Sequence, residues 1–201
     1  DEEDWIVHMQ TEVVNQDRRQ RQYQIRYSII DGNNAHVASR SSEVVTIQPG
    51  NTETLRVDIE VGQPRLWSVE DPELYRLETA LLTSEGDVVE SNIRAFGFRT
   101  VEWDPNKGFF LNGKHVKLKG SNNHQDHAGV GAAIPDGLQE WRLLQLKKMG
   151  QNAYRASHNP PTSELLDACD RLGILVIDET RLMGINDYHL SQLERLVRRD
   201  R

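Results

Sequence analysis

With 201 residues, 37% of them hydrophobic and 27% charged, the chain has room for one or two folded domains and the composition of an ordinary globular protein. A net charge of -7 argues against nucleic acid or an anionic membrane surface as partner, and no apolar run approaches the ~20 residues of a membrane span. The lone Cys169 excludes an intrachain disulfide. It falls on the apolar stripe of a predicted helix and reads as a packing residue, which leaves the redox compartment open. The acidic start Asp1-Glu2-Glu3-Asp4 is no signal peptide, so the signal of an exported protein would lie outside this sequence.

Residues 1 to about 100 read as all-β. Val7–Val14, Tyr23–Ile30, Val37–Ile47, Leu55–Val61, Leu74–Leu82 and Val88–Phe98 are runs rich in β-branched and aromatic residues. Turn chemistry separates them at Asn15–Arg18, Asp31–Asn34, Pro49–Asn51 and Glu85–Asp87. Ile25, Tyr27 and Ile29 alternate with Arg26 and Ser28, the pattern of a sheet with one wet face, and strands at this spacing suggest an immunoglobulin-like sandwich.

A join is expected near Glu102–Lys107. Gly108–Lys119 follows as a hairpin, with Asn112-Gly113 as its tight turn and Val116–Lys119 as the first strand of a parallel sheet. Gly120 and a fifteen-residue loop, SNNHQDHAGVGAAIP, then lead to a helix capped by Asp136, carrying Leu138, Trp141, Leu144 and Met149 and stopped by Gly150. A loop that long inside a compact domain is functional or disordered, and the cluster His124, Gln125, Asp126, His127 favours function.

Asn152–Glu179, NAYRASHNPPTSELLDACDRLGILVIDE, reads as one strand-helix-strand unit. Asn159-Pro160-Pro161 forces a turn, Thr162 caps a helix, Leu165, Ala168, Cys169 and Leu172 form its inward stripe, and Gly173 ends it. Ile174–Ile177 is apolar throughout, as expected of a buried parallel strand. After a loop, Leu190, Leu193, Leu196 and Val197 keep helical spacing. Three strand-helix units, starting at Val116, Asn152 and Ile174, make either a small open α/β domain or the first part of a barrel that needs eight. Arg155, Ser157, His158, Asp178 and Glu179 gather at C-terminal strand ends, the edge where parallel α/β folds handle ligands.

The Asn152–Glu179 run resembles the signature of the family 2 glycoside hydrolases, the beta-galactosidase and beta-glucuronidase superfamily. There an Asn-x-x-Arg-x-Ser-His-x-Pro segment precedes an Asp-x-x-Gly helix end and an apolar strand closing in Asp-Glu. Leu66-Trp67-Ser68, Asp71-Pro72, Leu74-Tyr75 and Phe96-Gly97-Phe98-Arg99 are similar to the sandwich domain that precedes the family's barrel. The resemblance implies a multi-domain β plus α/β protein: an immunoglobulin-like β-sandwich over residues 1–101, then a partial (β/α)8 TIM barrel with three βα units over 102–201. It also implies a fragment, since the barrel's remaining units are missing.

Retaining glycoside hydrolysis needs two carboxyl groups ~5 to 5.5 Å apart across the bond that breaks. Asp178 and Glu179 are strand neighbours and point to opposite faces, so they cannot flank one oxygen. The family's acid/base glutamate ends an Asn-Glu pair on a later strand. This sequence has no Asn-Glu pair, so no catalytic residue is assigned.

The resemblance leaves substrate-binding roles for His124, Asp126, Arg155 and His158. Arg155 matches the arginine that holds the nucleophile carboxylate, or else makes a core salt bridge to Asp178 or Glu179. His158 and His124 match histidines that donate to sugar hydroxyls, or else are surface-loop histidines. Asp126 resembles an acidic residue that contacts sugar in some relatives, with an Asx-turn role as its local reading. Ser157 reads as a packing residue that hydrogen-bonds locally.

No metal or cofactor is expected. His124, Asp126 and His158 are ligand types, but no motif fixes two of them on one rigid element. Where some relatives hold magnesium, Arg181–Gly184 offers no hard oxygen side chain. Three functions stand: a piece of a retaining β-glycosidase, a non-catalytic sugar-binding module, and a small metal-dependent hydrolase. Carbohydrate is the expected partner. Self-association of the chain is expected at its unpaired strand edges.

Overall fold

The structure, a computed structural model, describes residues 5–200. The chain divides into two compact units. The first runs up to Arg65 and includes Glu73–Phe98, and the second takes Leu66–Pro72 and Arg99 onward.

The first unit is antiparallel β throughout. β1 (Trp5–Val14) pairs with β5 (Thr52–Val61). A second sheet runs in the order β3 (His36–Ser41), β2 (Arg21–Ile30), β6 (Tyr75–Thr83), β7 (Val88–Phe96), with β4 (Val45–Ile47) also on β2. The alternation expected in β2 holds: Ile25, Tyr27 and Ile29 are buried and Arg26 is exposed. Each such side chain contributes ~1.5–3 kcal/mol by leaving water. The Tyr27 hydroxyl, whose pKa burial pushes up, lies 2.6 Å from Thr11 Oγ1 on β1 and so ties the two sheets together. The expected run Val37–Ile47 is broken into β3 and β4. Ser42 is the cause: its side chain turns inward, its backbone N–H donates to Ile25 O at 2.8 Å, and its hydroxyl accepts the Ile25 N–H at 3.1 Å.

The second unit begins with a small antiparallel sheet of β8 (Val101–Asp104), β9 (Gly108–Leu111) and β10 (Lys114–His115). The expected turn is present, with Asn112 at φ 51° and Gly113 at φ 71°. Leu66–Pro72 belongs here because Trp67 is built into the unit. Its indole N–H donates to Asp170 O at 2.8 Å, its carbonyl accepts from Asn112 Nδ2 at 3.0 Å, and Arg99 sits 5.1 Å over its ring.

A parallel sheet follows, in the order β11 (Gly120–His124), β12 (Ala153–Ser157), β13 (Leu175–Ile177). The first parallel strand is therefore Gly120–His124, not Val116–Lys119. Val116–Lys119 lies outside any strand because Asn152 holds it from the side, taking the Lys119 N–H on Oδ1 at 2.8 Å and donating through Nδ2 to Lys117 O. Gly120 fits because a Cβ there would stand 2.4 Å from Ala153 O.

Between the strands run α1 (Asp136–Lys148) and α2 (Ser163–Leu172), and α3 (Asp187–Asp200) follows β13. Leu143, Tyr154, Ala156, Leu165, Ala168, Cys169 and Ile174 form the core between helices and sheet. Burial pushes the Cys169 thiol up to about 12, so it is an inert packing group. Thr162 caps α2 as expected, accepting the Leu165 N–H at 3.3 Å, and Gly173 closes it at φ 67°. Asp136 does not cap α1: Pro135 holds the cap position and Asp136 is the first helical residue. The inward face of α1 is Gln139 and Leu143, whereas Trp141, Leu144 and Met149 are exposed. Ile174–Ile177 is not buried throughout, because β13 is the edge of the sheet and leaves Ile177 half exposed.

Amide hydrogen exchange is expected to be slower in the first unit than in residues 150–200. β2 is flanked by β6 on one side and by β4 and β3 in succession on the other, whereas β13 is a three-residue edge strand. Equal protection of β2 and β13 would contradict this.

Candidate functional site

In the parallel register His124 lies opposite Ser157, and Ile177, the last residue of β13, lies opposite Arg155; the polar groups around these strand ends converge. Arg155 lies one pleat below the end of β12. Its guanidinium ion-pairs with Glu179 Oε1 and donates to Asn122 Oδ1 on β11 at 3.1 Å. His158, across a cis peptide bond from Ser157, donates through Nδ1 to Glu179 Oε2 at 2.8 Å. Glu179 thus binds the arginine with one oxygen and the histidine with the other. The His158 hydrogen bond and then the Arg155 charge hold its carboxyl below the usual carboxylate range. The His124 ring stands edge-on to His158, with centroids 5.5 Å apart.

Arg155, His158, Ile177, Glu179, Met183 and Leu193 help to line an open cavity of about 600 Å³. It combines the Arg155-Glu179-His158 cluster with apolar sides, and its hydrogen-bonding groups suit a polar ligand. Of the four residues assigned from the sequence, Arg155 and His158 share this cavity, and His124 joins them through its ring. Asp126 is exposed beyond the end of β11 and does not line it. Ser157 is buried as expected, but its hydroxyl has no hydrogen-bond partner among the described residues, so its local hydrogen bond is not formed.

Sequence reasoning missed Asn122, and it named Glu179 only as one of two salt-bridge partners open to Arg155. Asn122 opposes Arg155 in the parallel register, a pairing legible only once β11 is placed at Gly120–His124. Glu179 is the hub of the cluster, a role signalled by its place one pleat beyond Asp178. The two carboxyls turn apart, Glu179 to Arg155 and His158, Asp178 toward Asp200 on α3. Desolvation, and then Asp200, push Asp178 up to about 7. Among the described residues no group of three His, Cys, Asp or Glu side chains is placed to hold a metal ion.

Because the Glu179 pKa is depressed, its pairing is complete above the usual carboxylate range and is lost as pH falls through the lower folded value. In a carboxyl-carbon NMR titration, Glu179 is expected to titrate below the ordinary glutamate range. Titration within that range would mean that the cluster is not formed in solution.

Two family models match the chain in succession: Glycosyl hydrolases family 2 over residues 1–99, and Glycosyl hydrolases family 2, TIM barrel domain, over residues 104–197. Beta-galactosidase BoGH2A of Bacteroides ovatus is 33% identical over 213 aligned positions, which take in 100% of this chain and 25% of that protein. A Beta-glucuronidase of Bacteroides fragilis is 32% identical across 82% of this chain and 24% of its own length. The crystal structure of Bacteroides uniformis beta-glucuronidase superposes with a TM-score of 0.88 at 29% identity, covering 99% of this chain and 24% of that one. The chain thus spans about a quarter of the length of these relatives. With the antiparallel unit followed by parallel βα units, and both matched in order, the chain belongs to glycosyl hydrolases family 2, comprising its immunoglobulin-like sandwich and the start of its TIM barrel.

Proposed function

We propose that these residues form one wall of the sugar site of a retaining β-glycosidase, with the acid/base and nucleophile glutamates supplied by sequence beyond these 201 residues. The observation that carries the reading is the Arg155-Glu179-His158 cluster opening into a cavity at the C-terminal ends of parallel strands. The Arg155 guanidinium has five donors, of which Glu179 and Asn122 use only part, leaving capacity for a second carboxylate such as the nucleophile. His158 reaches Glu179 through Nδ1, which leaves Nε2 for a sugar hydroxyl, and the His124 ring beside it supplies a second such group. The substrate class is a β-linked glycoside, with galactoside and glucuronide both compatible with these groups.

The test uses the whole-length enzyme of about four times this length, with Arg155→Gln and His158→Ala assayed on β-galactosides and β-glucuronides. Losing a hydrogen bond to a charged group costs ~1.5–3 kcal/mol, so kcat/KM should fall by about tenfold to a hundredfold or more for Arg155→Gln. His158→Ala should mainly raise KM. Wild-type kinetics in both variants would remove Arg155 and His158 from the site.

A further inference from the structure

The end of β13 carries a second cluster that the glycosidase reading leaves unused. Asp178 Oδ1 accepts the Glu179 backbone N–H at 2.8 Å, whereas Asp178 Oδ2 is buried without a partner among the described residues. What lies within hydrogen-bonding reach of Asp178 is another carboxyl, that of Asp200 at the C-terminal end of α3. The Asp200 side chain is only 8% exposed, and its oxygens take the Arg199 guanidinium. Arg199 also donates to Pro161 O at 2.9 Å. Arg155 on β12 and His158 just after it are both turned to Glu179. One arginine therefore faces two carboxyls, and two ionised carboxylates this close repel each other while neither has a proton to donate.

We propose that Asp178 and Asp200 share one proton in mildly acid solution, with Asp178 donating through Oδ2 to Asp200, and that this bond pins β13 to α3 and makes Asp178 the positioning residue for Glu179. The proton comes from solvent, and Asp200 keeps its charge against Arg199. The opposite shifts of the two groups, Asp178 up and Asp200 down, agree with that division. Through Oδ1, the protonated Asp178 fixes the Glu179 backbone, and so the carboxyl that holds Arg155 and His158. The inference stands independently of which glycoside, if any, is cleaved.

The raised Asp178 pKa gives the sign. The stabilisation is full below the unfolded value of 3.8 and is lost as pH rises to the folded value of about 7. Infrared spectroscopy of the 201-residue chain with carboxyl-labelled aspartate should show a protonated-acid band persisting at about pH 6, absent from both Asp178→Asn and Asp200→Asn. In Asp178→Asn the amide donates in place of the proton. Relative to that variant, the wild-type folding constant should fall by up to about tenfold per pH unit between the unfolded value of 3.8 and the folded value of about 7, and level off above it. In Asp178→Ala the Glu179 carboxyl should return to ordinary titration, and in Asp178→Asn it should not. No protonated-acid band at about pH 6, or a band that survives both asparagine variants, overturns the proposal in favour of a plain ion cluster around Arg199. If Asp178→Asn does not fold, the wild-type band and its loss in Asp200→Asn decide alone.

Discussion

The 201-residue chain is expected to release no product from chromogenic β-galactosides or β-glucuronides above the buffer rate. Retaining hydrolysis needs a carboxylic acid over the leaving oxygen and a carboxylate ~5 to 5.5 Å away at the anomeric carbon. Of the two carboxyls at the end of β13, Glu179 is held ionised, with both oxygens occupied by Arg155 and His158, so it has no proton to give at neutral pH. Asp178 has the proton affinity of an acid, but its carboxyl turns to Asp200 and its Oδ2 is buried. Losing general acid catalysis alone removes about a hundredfold to ten-thousandfold, and without a nucleophile no glycosyl-enzyme intermediate forms. Sugar binding by a single wall should be weak, with Kd on the order of millimolar. Turnover by the purified chain that disappears in Glu179→Gln would show that Glu179 is the acid after all.

What the sequence made legible follows from how locally each feature is determined. The cap and stop of α2 are set by Thr162 and Gly173 within one turn, and both are found where their side-chain chemistry puts them. The Asn112-Gly113 turn and the alternation in β2 are equally local. The misreadings lie where a distant partner decides. Val116–Lys119 has the β-rich look of a strand, but Asn152, more than thirty residues on, takes its polar groups, and the parallel ladder starts instead at the polar Gly120–His124. Helical spacing of apolar residues located α1 and α3 but not their buried faces: Trp141, Leu190, Leu193 and Val197 are exposed, because burial depends on what packs opposite. In the site, Arg155 and His158 could be picked out by residue type and strand end. Their common partner could not, since Asp178 and Glu179 were equal claimants until the pleat was fixed.

The largest single-residue effect on stability is expected at Gly173. Gly173→Ala meets two independent obstacles. Its backbone sits at φ 67°, where a side chain costs ~1–2 kcal/mol. A Cβ would also stand 2.3 Å from Val69 O and 3.0 Å from Val69 C, which are backbone atoms and cannot swing aside as a side chain would. Relief requires moving either the end of α2 or the Leu66–Pro72 segment. That segment is held by the Trp67 indole bond to Asp170 O and the Asn112 bond to Trp67 O, so movement sacrifices one or both at ~1 kcal/mol each. The sum is roughly 2–4 kcal/mol, a large share of the stability of a unit of ordinary marginal stability. Gly150→Ala isolates the backbone contribution: it sits at φ 83° at the end of α1, with nothing within 4 Å of its Cβ position, and should cost only ~1 kcal/mol. Urea unfolding followed by tryptophan fluorescence distinguishes the two. Equal midpoints for Gly173→Ala and Gly150→Ala would mean that the Val69 contact is not maintained in solution, and that Leu66–Pro72 is not fastened to the barrel unit by the end of α2.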